Sequence, residues 1–431
     1  MTVTNPEFSS TEDSAIAMDE HDPLRNYRQR FLFPKTASGE KCVYLCGHSL
    51  GLQPKTAAEY IQQELKDWAE LGVEGHFQAP NAWMPYHRLL TDQTAALVGA
   101  KPVEVVVMNS LTVNLHLMMV SFYRPRPARH KIVVERGAFP SDQYAVKSQI
   151  AFHGYDPSSS LIELNPLPGE SCLRDEEINL LIERSGDEIA LILLGGVNYA
   201  TGQAFDLAGI TRAGHAKGCV VGFDLAHAAG NLHLRLHDWG PDFGVWCNYK
   251  YLNGGPGCVA SCFVHERHAR SFDLPRFSGW WGHDERSRFE MGPTFQAMSG
   301  AEGWQLSNPS IISLAALRAS MQMFNETGME LLRAKSVMLT GYLEFLLKQI
   351  LSNQKFASDF SIVTPQERDR RGAQLSIRIP QNGRAFCQRF TQEGIVGDWR
   401  EPDTFRVAPV PLYNSYRDVF RFARRFAAAI G

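Results

Sequence analysis

Long apolar runs are missing from this 431-residue chain. No segment approaches the roughly 18–20 continuous apolar residues that span a bilayer. The most apolar run, Ile189 to Val197, has only the length of a strand, so no membrane partner is expected. The opening stretch from Met1 to Asp22 is polar and acidic. It lacks the basic and then apolar blocks of a signal peptide, which points to the cytoplasm. A basic excess is also missing. The net charge is −3, whereas proteins that track phosphate backbones cluster positive charge, and nucleic acid is not an expected partner. Cysteine is thinly spread. Cys42/Cys46 and Cys258/Cys262 share a C-x3-C spacing, but neither pair has the matched second pair or the histidines that a zinc site needs. They read as buried thiols of a reducing compartment, and no metal is expected. Several motifs are absent as well. There is no G-x-x-x-x-G-K-[ST] and no G-x-G-x-x-G. "HERH" (His265 to His268) lacks the H-E-x-x-H spacing, and no G-x-S-x-G elbow supports an α/β-hydrolase.

The chain does contain alternating strand and helix signatures. "IVVE" (Ile132 to Glu135), "LILLGG" (Leu191 to Gly196), "CVVGFDLAHAAG" (Cys219 to Gly230) and "FGVWCNYKY" (Phe243 to Tyr251) read as buried strands, with helical patterns between them. Such alternation predicts an α/β domain with helices on both faces of a mostly parallel sheet. Ser313 to Leu351 reads as one long helix, "AQLSIRIP" as a half-buried strand, and "RDVFRFARRFAAAI" as an amphipathic helix whose arginines face solvent. The expected organisation is a loose tail over 1–20, a large domain over 58–311, and a smaller α+β domain from 21–57 and 312–431.

The stretch "WCNYKYLNGGPG" (Trp246 to Gly257) raises a chemical question. Lysine is a poor choice at a buried strand end unless something pairs with it. Ligands of α/β sheets gather at the carboxyl ends of strands, and other chemistry-bearing residues fall at such ends. Asp224 closes "VVGFD", with His227 three residues on. Phe139 and Asp142 follow "KIVVE". "NSLTVNLHLMM" (Asn109 to Met119) opens a helix with hydroxyls, where a phosphate sits well. Each residue alone has an ordinary structural reading: surface lysine, capping acid, core aromatic. Together they are the parts that pyridoxal 5'-phosphate asks for. A lysine forms a Schiff base with its aldehyde, a carboxylate holds the ring nitrogen protonated, an aromatic stacks on the ring, and a helix start takes the phosphate.

"GFDLAHAAGN", "WCNYKYLNGGPG", "AFPSDQYA", "SLTVNLHL", "CGHSLGLQPK", "GWWGH", "LSNPSI" and "RVAPVPLYNSY", spread from about Tyr44 to the C-terminus, closely resemble kynureninase. That family belongs to the pyridoxal-phosphate enzymes of the aspartate-aminotransferase fold (fold type I). The resemblance implies hydrolytic Cβ–Cγ cleavage of L-kynurenine or 3-hydroxy-L-kynurenine to an anthranilate and L-alanine, in tryptophan catabolism or NAD biosynthesis. It implies a homodimer with shared active sites. Lys250 resembles the Schiff-base lysine and Asp224 the partner of the pyridinium. Phe139 should stack on the ring, with Asp142 and His227 nearby, while Leu111, Thr112 and Tyr249 cradle the phosphate end. Tyr249, or a group relayed through it, is also the expected proton donor. Trp280 and Asn308 resemble residues that reach the site from the neighbouring subunit. Arg406 should clasp the substrate α-carboxylate, and Ser49 and His76 should contact substrate. His76 and Asn308 go with relatives that favour the 3-hydroxy substrate. One departure is visible: Gly195 stands where some relatives carry a serine beside the cofactor. Another fold type I enzyme, a cysteine desulfurase or an aminotransferase, is the alternative.

Overall fold

The computed structural model describes residues 8–352, 360–379 and 381–430. The chain divides into two compact units. One takes residues 56–199 and 204–328, and the other takes the chain up to 55, the short stretch 200–203 and everything from 329 onward.

The first unit is built on seven strands: β1 (Val105–Val107), β2 (Lys131–Glu135), β3 (Leu161–Leu164), β4 (Ile189–Gly195), β5 (Val220–Asp224), β6 (Phe243–Trp246) and β7 (Ser261–Val264). Their order across the sheet is β1-β7-β6-β5-β4-β2-β3. β7 runs antiparallel to both neighbours, and the other adjacent pairs are parallel. β4 and β6 are almost wholly buried, as expected where helices cover both faces of a parallel sheet. The apolar core joins these strands to the helix Leu111–Phe122 through Leu115, Met118, Met119 and Phe122.

The second unit carries a four-stranded antiparallel sheet: β8 (Ser361–Ile362), β9 (Leu375–Arg378), β10 (Asp398–Arg400) and β11 (Thr404–Val407), in the order β8-β9-β11-β10. The helix Tyr416–Ile430 buries Val419, Phe422, Ala423 and Phe426 and leaves Arg421, Arg424 and Arg425 exposed. This is the amphipathic reading of the sequence.

Three expectations need correction. Residues 1–7 lie outside the described residues, but the rest of the supposed tail is not loose. Glu12–Glu20 form a helix with Thr11 as its N-cap. Asp19 accepts hydrogen bonds from the N–H groups of Tyr416 (2.7 Å) and Arg417 (3.2 Å). The opening segment therefore caps the start of the C-terminal helix, where backbone donors lack partners and negative charge is favoured. The long helix Ile311–Leu351 is interrupted at Gly328, whose φ of 70° no regular helix contains. The division between the units falls there rather than at residue 312, and earlier in the chain it falls after residue 55 rather than 57. Finally, the strand before Lys250 ends at Trp246, so the lysine stands in the turn that follows.

Candidate active site

The carboxyl ends of the parallel strands place the first group of side chains. Asp224 is the last residue of β5, and Glu135 is the last of β2. Phe139 is the N-cap residue of the helix Pro140–Phe152, which carries Asp142 in its first turn. Leu111 and Thr112 open the helix that follows β1, and the N-cap Ser110 makes no side-chain cap bond. The N–H groups of that first turn are thus left to bind something else. Beyond β6 the chain folds back on itself: Asn253 N–H donates to Lys250 O (3.0 Å) and Gly254 N–H to Asn248 O (2.8 Å). Any side chain at Gly254 would put its Cβ 2.5 Å from Cys258 Sγ and 2.9 Å from Asn248 O. The glycine run after the lysine is what lets this turn close and present Lys250.

These residues line one pocket, together with His227, Tyr249, Gly195 and Tyr199. Lys250 Nζ lies 5.9 Å from the ring centroids of both Phe139 and Tyr249. Phe139 is 41% exposed, its ring edge-on to Tyr199 at 5.3 Å. An aromatic face is therefore presented to the pocket rather than spent in the core.

Electrostatically the pocket is short of positive charge. Asp224 is buried, and burial raises its pKa, while Lys250 and the Ala226 N–H (2.7 Å) pull it back. Asp142 is pushed well up, first by burial and then by the charge of Asp224. Lys250 opposes the rise at both carboxyls, and at Asp224 it is the first cause to do so. Asp142 Oδ1 is buried without a hydrogen-bond partner among the described residues. Glu135 was not expected here. Its oxygens accept from the Gly195 N–H at 3.1 and 3.3 Å, and burial lifts its pKa to about 7. The only sequence signal for it was its place at a strand end. Burial first, and Cys247 second, push the Tyr249 hydroxyl up, so it keeps its proton at neutral pH.

The residues fit pyridoxal phosphate. A ring nitrogen carrying a proton is what the unpartnered buried oxygen of Asp142, beside the Asp224 carboxyl, calls for. The open helix start suits the phosphate, and Phe139 offers a stacking face. Trp280 and Asn308 do not line this pocket. Trp280 donates from Nε1 to Arg288 O (3.1 Å), and Asn308 is exposed. His76 lies in the short helix Gly75–Gln78, its Nδ1 2.9 Å from Val73 O.

The chain matches the aminotransferase class-V family model over residues 43–377 and the kynureninase C-terminal domain model over 332–426. A kynureninase of Koribacter versatilis is 66% identical over 98% of this chain and 98% of its own length. One from Myxococcus xanthus is 60% identical over 97% of each chain.

The chain belongs to the kynureninase family.

Solved structures show the wider fold. The cystine C–S lyase C-DES, in complex with cysteine persulfide, superposes with a TM-score of 0.76 at 17% identity, covering 90% of this chain and 97% of that one. A cysteine desulfurase from Thermococcus onnurineus NA1 gives 0.73 at 15% identity, covering 96% and 98%. The architecture is thus the α/β fold of type I pyridoxal-phosphate enzymes, a mixed sheet flanked by helices.

The kynureninase-family residues of the other unit form a second cluster. Arg406, on β11, is 1% exposed. It is ion-paired with Asp398 and lies 3.2 Å from Ser49 Oγ. Ser49 donates to Asp398 in turn. Asp398 and Arg400 were not singled out in the sequence. The available signal was an acid and a base two residues apart on a strand that pairs with the Arg406 strand. Cys46, His48 and Asp398 come close enough together to suggest a metal. Asp398 is already engaged by Ser49, Arg400 and Arg406, and burial pushes the Cys46 thiol up to about 12, against metal binding.

Proposed function

We propose that this chain is a pyridoxal-phosphate-dependent kynureninase. It hydrolyses the Cβ–Cγ bond of L-kynurenine or 3-hydroxy-L-kynurenine and releases an anthranilate and L-alanine. The observation that carries the reading is Lys250 Nζ lying 5.9 Å from the centroids of two aromatic rings in a pocket that Asp142 and Asp224 also line. When bound, the cofactor supplies an electron sink for the bonds broken at the substrate α- and β-carbons.

The protein supplies the rest. Lys250 provides the amine that anchors the cofactor and the base that moves the α-proton. Asp224 would hold the ring nitrogen, with Asp142 beside it in the same pocket. Leu111 and Thr112 hold the phosphate at the helix start. Tyr249, still protonated at neutral pH, delivers a proton from its hydroxyl to the carbon left after cleavage. Arg406 and Ser49 take the substrate α-carboxylate, for which a planar guanidinium is suited.

His76 donates from Nδ1 to Val73 O, which leaves Nε2 to accept from a 3-hydroxyl. A site built around such a bond penalises the ligand that lacks it, so kcat/KM is expected to be higher for 3-hydroxy-L-kynurenine. Equal values for the two substrates would remove that preference.

The chain works as a homodimer in which Trp280 and Asn308 serve the partner's site. Supporting this, Phe77, Trp280 and Phe289 form an exposed aromatic patch, with ring centroids 5.5 and 6.4 Å apart, of the kind a second copy covers. The protein acts in the cytoplasm. All eight cysteines are free, and no helix among the described residues is long and apolar enough to cross a membrane.

A desulfurase reading is disfavoured by its own requirement for a reactive cysteine. The late cysteine, Cys387, is buried in a helix, and its thiol is pushed up to about 11. Steady-state assay of the purified protein with both kynurenines tests the proposal, together with hydride trapping and mass spectrometry. Alanine, a fluorescent anthranilate and a reduced adduct on Lys250 are expected. A keto acid product, or an adduct elsewhere, would overturn the reading.

A further inference from the structure

We infer that Asp398 and Arg400 complete the subsite for the substrate α-carboxylate. Asp398 acts as a positioning anion that bridges two guanidiniums, and Arg400 is the second of them. The inference rests on the carboxylate role proposed for Arg406.

The sheet register makes the cluster. Asp398 on β10 lies directly opposite Arg406 on β11, and Arg400 stands two residues further along β10. Residues two apart on a strand project to the same face, so both guanidiniums can reach one carboxylate. Asp398 Oδ2 accepts from Ser49 Oγ, from Arg406 Nη2 and from Arg400 Nη2 (2.9 Å), with His48 Nε2 at 3.8 Å. One carboxylate oxygen therefore holds both guanidiniums at a single point. Arg406 is almost fully buried, and that burial pulls its pKa down against the pull of Asp398. Arg400 also keeps a buried Nε–H with no partner among the described residues. The cluster therefore gathers two guanidiniums and a spare Arg400 donor beside Ser49, a donor set suited to an α-carboxylate. Asp398 keeps the two guanidiniums from repelling each other until that anion arrives.

The test uses the holoenzyme and separates KM from kcat. Asp398→Ala is expected to raise KM for L-kynurenine about 10–100-fold, the range for breaking a buried charge pair, with kcat within about threefold. The absorption of the bound cofactor without substrate should not change. Added formate should lower the raised KM by refilling the anion position. Asp398→Asn should raise KM similarly and resist formate, and it carries the KM readout if Asp398→Ala does not fold. Arg400→Gln should raise KM about tenfold. KM within about twofold of the parent in both Asp398 variants, or a loss confined to kcat, would overturn the inference. Arg406→Gln distinguishes the two levels. An unchanged KM there sinks the carboxylate role of Arg406 itself, while a raised KM beside unaffected Asp398 and Arg400 variants sinks only the present inference.

Discussion

Around Lys250 three carboxyls face one ammonium, while around Arg406 two guanidiniums face one carboxylate. Asp224 and Arg406 are buried, Lys250 and Arg400 only partly so, and each cluster lies in its own compact unit. Their imbalances have opposite sign. A third cluster shows what balance looks like. Asp242 accepts from His215 Nε2 (3.0 Å), His268 Nε2 (2.8 Å), Arg267 Nη2 (2.7 Å) and the Val221 N–H (2.8 Å). These partners outweigh burial and hold its carboxyl far below the usual range. Folding alone favours arrangements like that of Asp242, in which every buried polar group is paired. The two unbalanced clusters are the ones assigned to ligands. In the proposals above, the acidic one takes a proton-bearing ring and the cationic one a carboxylate.

The comparison can be broken by experiment. Lys250→Ala should remove turnover by at least about 10,000-fold while circular dichroism stays that of the parent. Residual hydrolysis near the parent rate would show that the acidic pocket is not the reacting one. Asp224→Asn should weaken cofactor retention by about 2–5 kcal/mol, because it leaves one partner of a buried charged pair behind. Equilibrium dialysis against the cofactor measures this, and unaltered retention would detach Asp224 from the ring nitrogen.

Asp242→Asn should do the opposite. It should leave KM unchanged and cost about 1–3 kcal/mol of stability at pH 7, the lower end reflecting the partial exposure of its partners. Its carboxyl is depressed in the folded chain, so the contribution is complete above the ordinary carboxylate range and fades as pH falls through and below it. The difference between denaturant melts of the two proteins should therefore narrow, without vanishing, from pH 7 to pH 3.5. A constant difference would contradict the ionic account.

The smallest effect concerns Glu135, whose pKa is raised to about 7. Between the ordinary carboxylate value and 7, the folded chain binds the extra proton, so this residue costs stability as pH rises through that window. In the cofactor-free protein, Glu135→Gln should stabilise by about 1 kcal/mol at pH 8 and have little effect at pH 5. The reverse order in thermal melts would mean that the pocket is not starved of positive charge.

Much of the architecture was legible because it rests on local patterns. The buried strands around Ile192, Phe223 and Val245 are apolar runs closed by turn residues. The helix Tyr416–Ile430 was legible from its apolar spacing. The residues that line the Lys250 pocket lay near the ends of those elements, so their gathering followed once a parallel sheet was assumed. Other features were not legible, for a physical reason in each case. The opening segment looked polar and loose because its value lies in one distant contact, Asp19 on the start of the last helix. Gly328 could not be told from a tolerated helical glycine until its φ was known. Glu135 and Asp398 are acids whose meaning depends on what stands across a sheet from them.

The amino-acid order alone determined the strand and helix periods, the glycine turn after Lys250, and the motifs that mark the family, because these depend on residues close in sequence. Only the tertiary structure decided which charges go unpaired. That quantity is fixed by burial and by partners brought from far along the chain: Gly195 to Glu135, Asp142 to Asp224, and Ser49 and Arg406 to Asp398.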